Sequence, residues 1–191
     1  MSQIKLKHSG GNSVIIAAPD SNPASDRTLK LPSDGDGTIL TSNSSVGKIL
    51  QVISSNKITV QSTSSTSYVD VTDMTATITP SASTSKVLIL LTMVIQKSNY
   101  TFFARLLRGS TEIGTPSGSN SGLSVYNSGD SGQNEGRTHV YLDSPNTTNA
   151  TTYKLQIKSD GSSTIYFNAH SSGTTNDYIS QSSFTVIEVA A

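Results

Sequence analysis

Apolar residues along this chain fall in short bursts with a period of two, separated by clusters of Gly, Pro, Asn, Asp and Ser. From residue 48 the bursts are long enough to predict strands at 49–53, 58–61, 68–71, 76–79, 87–96 and 102–108. After a long polar stretch they resume at 139–142, 153–158, 164–168 and 184–189. The clearest alternation, Tyr153-Lys154-Leu155-Gln156-Ile157-Lys158, puts Tyr153, Leu155 and Ile157 on one face and three polar side chains on the other. Asp160-Gly161 follows directly, a turn signal that predicts a hairpin with 164–168. Short strands punctuated by turns in this way predict an all-β protein, an antiparallel β-sandwich of jelly-roll type.

Two of these strands break the alternation. Val87 to Ile95 is apolar on both faces, and Phe184 to Val189 nearly so. In an antiparallel sandwich one face is ordinarily solvated, so a strand that is apolar on both sides needs a second cover. Each Leu, Ile or Val left in water would forfeit about 1.5–3 kcal/mol. A subunit interface provides the cover, with Val87, Ile89, Leu91, Phe184, Val186 and Ile187 as its candidate residues. Loops of the same chain are the alternative.

The first 47 residues read differently. Ile4 and Leu6, Val14 to Ile16, Leu29 and Leu31, and Ile39 and Leu40 are bursts too brief to bury a core, because isolated short hairpins are marginal in water. Residues 1–47 are therefore expected to form an extended attachment arm or short shaft, covered by partner chains or a host surface. Residues 48–191 form the sandwich head.

Composition agrees with strands. Hydrophobic residues make up 34% and charged residues 14%, against about 45–50% and about 25% in an average soluble domain. Ser, Thr, Asn and Gly fill the difference, and they disfavour helix. Thirteen basic and thirteen acidic residues cancel, which removes the electrostatic footprint expected of a partner for nucleic acid or an anionic membrane. Cysteine is absent, so neither disulfides nor thiolate metal sites arise. The longest apolar run falls far short of the roughly 20 residues of a membrane helix, and the N-terminus lacks the apolar segment of a signal peptide. A cytoplasmically made, soluble product without membrane insertion is expected.

Candidate chemistry is sparse. His8, His139 and His170 stand far apart without metal-ligand spacing, and no Gly-x-Ser-x-Gly elbow occurs. The carboxylate pairs Asp70 with Asp73 and Asp130 with Glu135 lie in or beside turn-like stretches. Asp34-Gly35 and Asp36-Gly37 read as tight turns, with calcium as the lesser alternative. No enzyme, metal or cofactor is expected. Arg105 and Arg108 flank Leu106 and Leu107 on one strand; an exposed rim position is the simpler reading, and Glu188 is the acidic partner expected if either faces a neighbouring subunit. Tyr and Phe are read as falling within strands that lack a basic context, which disfavours nucleic-acid binding. Two long polar connections, 115–137 with Tyr126 and 170–181 with Tyr178, offer exposed rings for stacking on a sugar. Tyr126 and Tyr178 are the candidate receptor contacts.

The segments Ile4-Lys5-Leu6-Lys7-His8 and Arg27-Thr28-Leu29-Lys30-Leu31-Pro32-Ser33-Asp34-Gly35-Asp36-Gly37-Thr38-Ile39-Leu40 resemble the leaders of virion structural proteins, often labelled tail fibre proteins, of marine and cyanobacterial phages. Ala104 to Gly114, Leu142-Asp143-Ser144-Pro145 and the closing Phe184 to Val189 are similar to the same group. The resemblance implies a bacteriophage virion protein with a trimeric, complement- or tumour-necrosis-factor-like jelly-roll head. Its partners would be two further copies of itself, other virion proteins through the arm, and a host surface glycan at the head. A capsid decoration or cement protein that stabilises the phage head is the other role compatible with this layout.

Overall fold

The computed structural model describes residues 3–7, 9–11, 13–17, 48–97, 102–115, 123, 133–161, 164–169 and 179–190. The chain forms two compact units, Met1–Ser44 and Ser45–Ala191. In the first, β1 (Gln3–Lys7) pairs antiparallel with β2 (Ser13–Ala17), setting Ile4 opposite Ile16 and Leu6 opposite Val14. Gly11 takes a φ of 98° in the connecting turn, a conformation open to glycine at no steric cost. The bursts at Leu29, Leu31, Ile39 and Leu40 and the acidic turn 33–37 lie outside the described residues.

The second unit contains β3 (Ile49–Lys57), β4 (Gln61–Thr63), β5 (Val69–Ile78), β6 (Lys86–Lys97), β7 (Phe102–Arg108), β8 (Thr111–Ile113), β9 (Gln133–Asp143), β10 (Thr151–Ser159), β11 (Ile165–Phe167) and β12 (Ser182–Val189). They build two antiparallel sheets. In the larger, β12 lies between β3 and β6, β9 pairs along β6, and β11 links β6 to β4. The smaller has the order β5-β10-β7-β8. Successive long strands alternate between the sheets, the winding of a jelly roll.

The core is what the period-two pattern requires. Val87, Ile89, Leu91, Met93 and Ile95 of β6 and Phe184 and Val186 of β12 meet Val71, Met74, Ile78, Ala104, Leu106, Tyr153, Leu155 and Ile157 from the smaller sheet. All regular structure among the described residues is strand.

Four local expectations change. The apolar bursts at 68–71 and 76–79 belong to one strand, β5, because Thr72-Asp73 is absorbed as a bulge rather than a turn. Asp73 has φ 64°, and the β10 register jumps between Lys154 and Gln156. The strand expected at 58–61 falls later, at Gln61–Thr63, leaving Ile58 and Val60 exposed. β9 begins at Gln133, well before 139, since its first residues are polar yet pair fully with β6. Asp160-Gly161 does not close a hairpin: β10 already has β5 and β7 on its two sides, so the chain crosses to the other sheet and β11 pairs with β4 and β6. Gly161 keeps the positive φ that the turn signal implied, 97°.

The sandwich has two unlike ends. The chain enters it at Lys48, beside the C-terminal strand, where the Ala190 N–H donates to the Lys48 carbonyl at 2.9 Å. The start of β6, the ends of β7, β9 and β12 and the start of β10 gather at this same end. At the opposite end lie Lys97 and Phe102, Gln133, Ser159 and Ser182, which flank or approach the long connections. Asn168 ties that end together. Its side-chain amide donates to the Lys57 carbonyl at 2.8 Å, its carbonyl oxygen accepts from the Ser182 hydroxyl at 2.6 Å, and its backbone N–H donates to the Val94 carbonyl at 2.8 Å. Asn168 takes φ 62°, which its short polar side chain tolerates better than most.

Candidate assembly face

Strand alternation gives each sheet one face toward the core and one away from it, and the two outward faces differ in chemistry. On the larger sheet the ladder registers set Val52, Ile187, Leu88 and Leu142 side by side across β3, β12, β6 and β9. The next row is Ser54, Thr185, Leu90 and Val140, and the one after is Asn56, Ser183, Thr92 and Thr138. The face therefore grades from apolar near the Lys48 end to polar toward the other. Val52 is 56% exposed, Val140 63% and Leu142 56%, with Ile49 and Leu50 also exposed beside them. Contiguous apolar patches on an outward face mark surfaces that another molecule covers more often than scattered single residues do.

The outward face of the smaller sheet is closed by polar contacts instead. Asp70 receives the Lys154 ammonium at 3.0 Å and the Gln156 amide at 2.6 Å, Arg105 donates to Gln156 at 2.8 Å, and Arg105 meets Glu112 at 3.4 Å. The Gln156 bond, chiefly, and the Lys154 ammonium hold the Asp70 carboxyl below its usual range, against the effect of partial burial. Two aromatic rings join this network. The Arg105 guanidinium lies 4.0 Å from the Tyr68 ring centre, and the Lys158 ammonium lies 4.9 Å from the centres of both Tyr68 and Phe103. Burial, and then the nearby Glu112 carboxylate, push the Tyr68 hydroxyl pKa up despite Arg105.

Of the six residues expected at a subunit interface, only Ile187 is on an outward face. Val87, Ile89, Leu91, Phe184 and Val186 point into the core of their own chain and are at most 1% exposed, so they present no surface to a neighbour. A strand apolar on both sides has two parities, and the outward one is Leu88, Leu90 and Val94. The sequence carried no sign of which parity faced in; the β9 register, which adds Val140 and Leu142 to the patch, was equally hidden. Tyr126 and Tyr178 lie outside the described residues.

Two buried carboxylates anchor the Lys48 end, Asp143 between the sheets and Glu188 between the larger sheet and the connection from β5 to β6. Asp143 accepts from Nη1 of Arg108 at 2.9 Å on both oxygens and from the Tyr153 hydroxyl at 2.7 Å, bridging β9 to β7 and β10. Burial, reinforced by the bond to the Asp143 carboxylate, drives the Tyr153 pKa far above its ordinary value. Glu188 accepts from the Gln51 amide at 2.6 Å and from both the N–H and the hydroxyl of Ser81 at 2.7 Å. Within the chain Arg105 and Arg108 have other carboxylate partners than Glu188. The arginines find Glu112 and Asp143, and Glu188 relies on neutral donors.

Burial alone would raise the Glu188 pKa, but the hydrogen bonds from Gln51, Ser81 and Ser85 outweigh it and hold the carboxyl at about 2. A carboxylate with a folded pKa below its unfolded one stabilises the fold above the unfolded pKa, and that contribution fades as pH falls through the folded one. Between about pH 4.5 and about pH 2 the protein is expected to lose on the order of 3 kcal/mol from this group. Urea unfolding across that range checks the loss, and Glu188→Gln should flatten that part of the profile while lowering stability at neutral pH.

Burial, and next the Arg137 guanidinium, lower the His139 pKa, and burial outweighs Asp73 to lower that of Lys57, whose ammonium donates to Thr59 at 3.0 Å. No group of three or more metal-ligating side chains occurs among the described residues.

No protein-family profile and no curated protein matches the chain. Among solved structures, one titled "Structure of infectious bursal disease virus Gx strain" is similar at a TM-score of 0.40 with 14% identity, over 94% of this chain and 46% of that one. The chain thus spans about half the length of the structure it matches.

Proposed function

We propose that this chain is a non-enzymatic structural protein of a phage virion, a symmetric trimer whose jelly-roll head is carried on its N-terminal segment and contacts the host surface. The observation that carries this reading is the unlike chemistry of the two outward faces. A face closed by its own ion pairs and hydrogen bonds suits water, whereas the row Val52, Ile187, Leu88 and Leu142 loses free energy until another surface covers it. Three copies packed about an axis on that face cover it equally and leave the polar faces outside.

The polarity of the sandwich supports the division of labour. Entry at Lys48 fits a base joined to the rest of the particle, and the opposite end, from which the long connections depart, fits the host-facing tip. The likeness of the leader segments to tail fibre proteins supports the virion setting. Three identical weak sites held on one axis would gain avidity without strong single contacts.

Light scattering on the purified protein tests the assembly. A mass three times the 20.1 kDa chain is the expected result, and a stable monomer would overturn the trimer. Immunogold labelling of the particles then tests the role. Label at the tip of an appendage is expected, and label spread over the capsid shell would replace attachment by decoration of the head.

A further inference from the structure

Resting on the reading of the head as a host-contact module, we propose that the outward face of the smaller sheet, around Lys158, Tyr68, Phe103 and Arg105, binds an acidic saccharide through its carboxylate and ring. Three observations converge on this patch. First, its charges are unequally satisfied. Lys154 is paired with Asp70 and Arg105 with Glu112, but Lys158 has no carboxylate partner among the described residues. Second, that ammonium is fixed between two half-buried rings, 4.9 Å from the centre of each. The three cation–aromatic contacts among the described residues all fall in this one patch. Third, the patch is near the end of the sandwich away from Lys48, with Lys158 opposite Phe103 and Ser159 opposite Phe102.

These groups match one ligand chemistry. An ammonium with no carboxylate partner among the described residues attracts an anion, the rings and the aliphatic stems of Lys158 and Arg105 give a sugar ring an apolar surface, and Gln156 and Tyr68 supply hydrogen-bonding groups. The strands that carry them are part of the core sheet, so the arrangement exists before any ligand arrives. Nothing in the linear order of residues hints at it, because Tyr68, Phe103, Arg105 and Lys158 come from three separate strands or their approaches.

Biolayer interferometry of the full chain on immobilised polygalacturonate, dextran sulfate and neutral dextran tests the proposal. Saturable binding to polygalacturonate is expected, with none to neutral dextran; tighter binding to dextran sulfate would show the anion to be sulfate rather than carboxylate and overturn the carboxylate assignment. Lys158→Gln should weaken binding to polygalacturonate about tenfold and Lys158→Arg should largely restore it. Lys86→Gln, at the other end of the sandwich, should change little. Equal losses for Lys158→Gln and Lys86→Gln would reduce the effect to net charge and overturn the site, as would no binding by a variant-free protein of intact thermal midpoint. A head found at the tip of an appendage that ignores polygalacturonate would sink this inference alone. Binding by a protein found on the capsid shell would leave the site standing and remove the attachment role.

Discussion

Replacing Asp143 with alanine is expected to destabilise the sandwich by about 3–5 kcal/mol, the range for breaking a buried ion pair by removing one partner. The carboxylate is 4% exposed and serves two donors at once, the Arg108 guanidinium and the hydroxyl of fully buried Tyr153. Alanine would leave a partly buried cation with the Ser144 carbonyl as its remaining acceptor and strand a hydroxyl in the core. It would also remove the direct tie between β9 and the strands of the smaller sheet. For a unit of this size the thermal midpoint should fall by roughly 10 °C or more, measurable by calorimetry or circular dichroism. Asp143→Asn should fall between, since the amide oxygen still accepts from one donor but the charge on Arg108 goes unmatched. A loss near zero for Asp143→Ala would mean that water replaces the carboxylate and that the bridge adds little.

The second large effect concerns parity on β6. Leu88→Asp puts a charge on the outward face, opposite Ile187 on one side and Leu142 on the other, and should leave the fold intact while converting the proposed trimer to monomer. Val87→Asp, one residue earlier, puts the same charge in the core, where an unpaired carboxylate costs more than about 4 kcal/mol and should unfold the domain. Light scattering and circular dichroism on the two variants separate the outcomes. If Leu88→Asp leaves the mass unchanged, the outward face is not the interface. If Val87→Asp folds normally, the orientation of β6 is reversed.

That pair of substitutions also marks how far the sequence could be read. Alternation in Tyr153 to Lys158 revealed a strand with one wet face because the two parities differ in polarity. Across Val87 to Ile95 they do not differ, and which one faces inward is decided by the opposing sheet. Burst-counting located most strands but missed β8 and the first half of β9, whose residues Gln133 to Thr138 are polar and are strand only because β6 offers a ladder to pair with. The same blindness hid the clamps. Asp143 and Glu188 look like surface residues at strand ends, and only the closing of the sandwich brings Tyr153, Gln51 and Ser81 to them. The cation–aromatic patch was illegible for a related reason, since its members meet through registers that run over more than fifty residues of sequence, as between Arg105 and Gln156.

The juxtaposition of β3 and β12 bears on how the domain carries load. β3 starts at the end where the chain enters and runs antiparallel to β12 from the Ile49–Val189 pair to the Lys57–Ser182 pair. Ladder hydrogen bonds lie perpendicular to the strands. Tension between Lys48 and the far end of the sandwich therefore acts along β3 and strains its bonds to β12 together, in shear, instead of opening them one at a time like a zipper. The strand that receives the pull is also paired with the last strand of the fold, so the domain resists extension with its two terminal strands locked to each other.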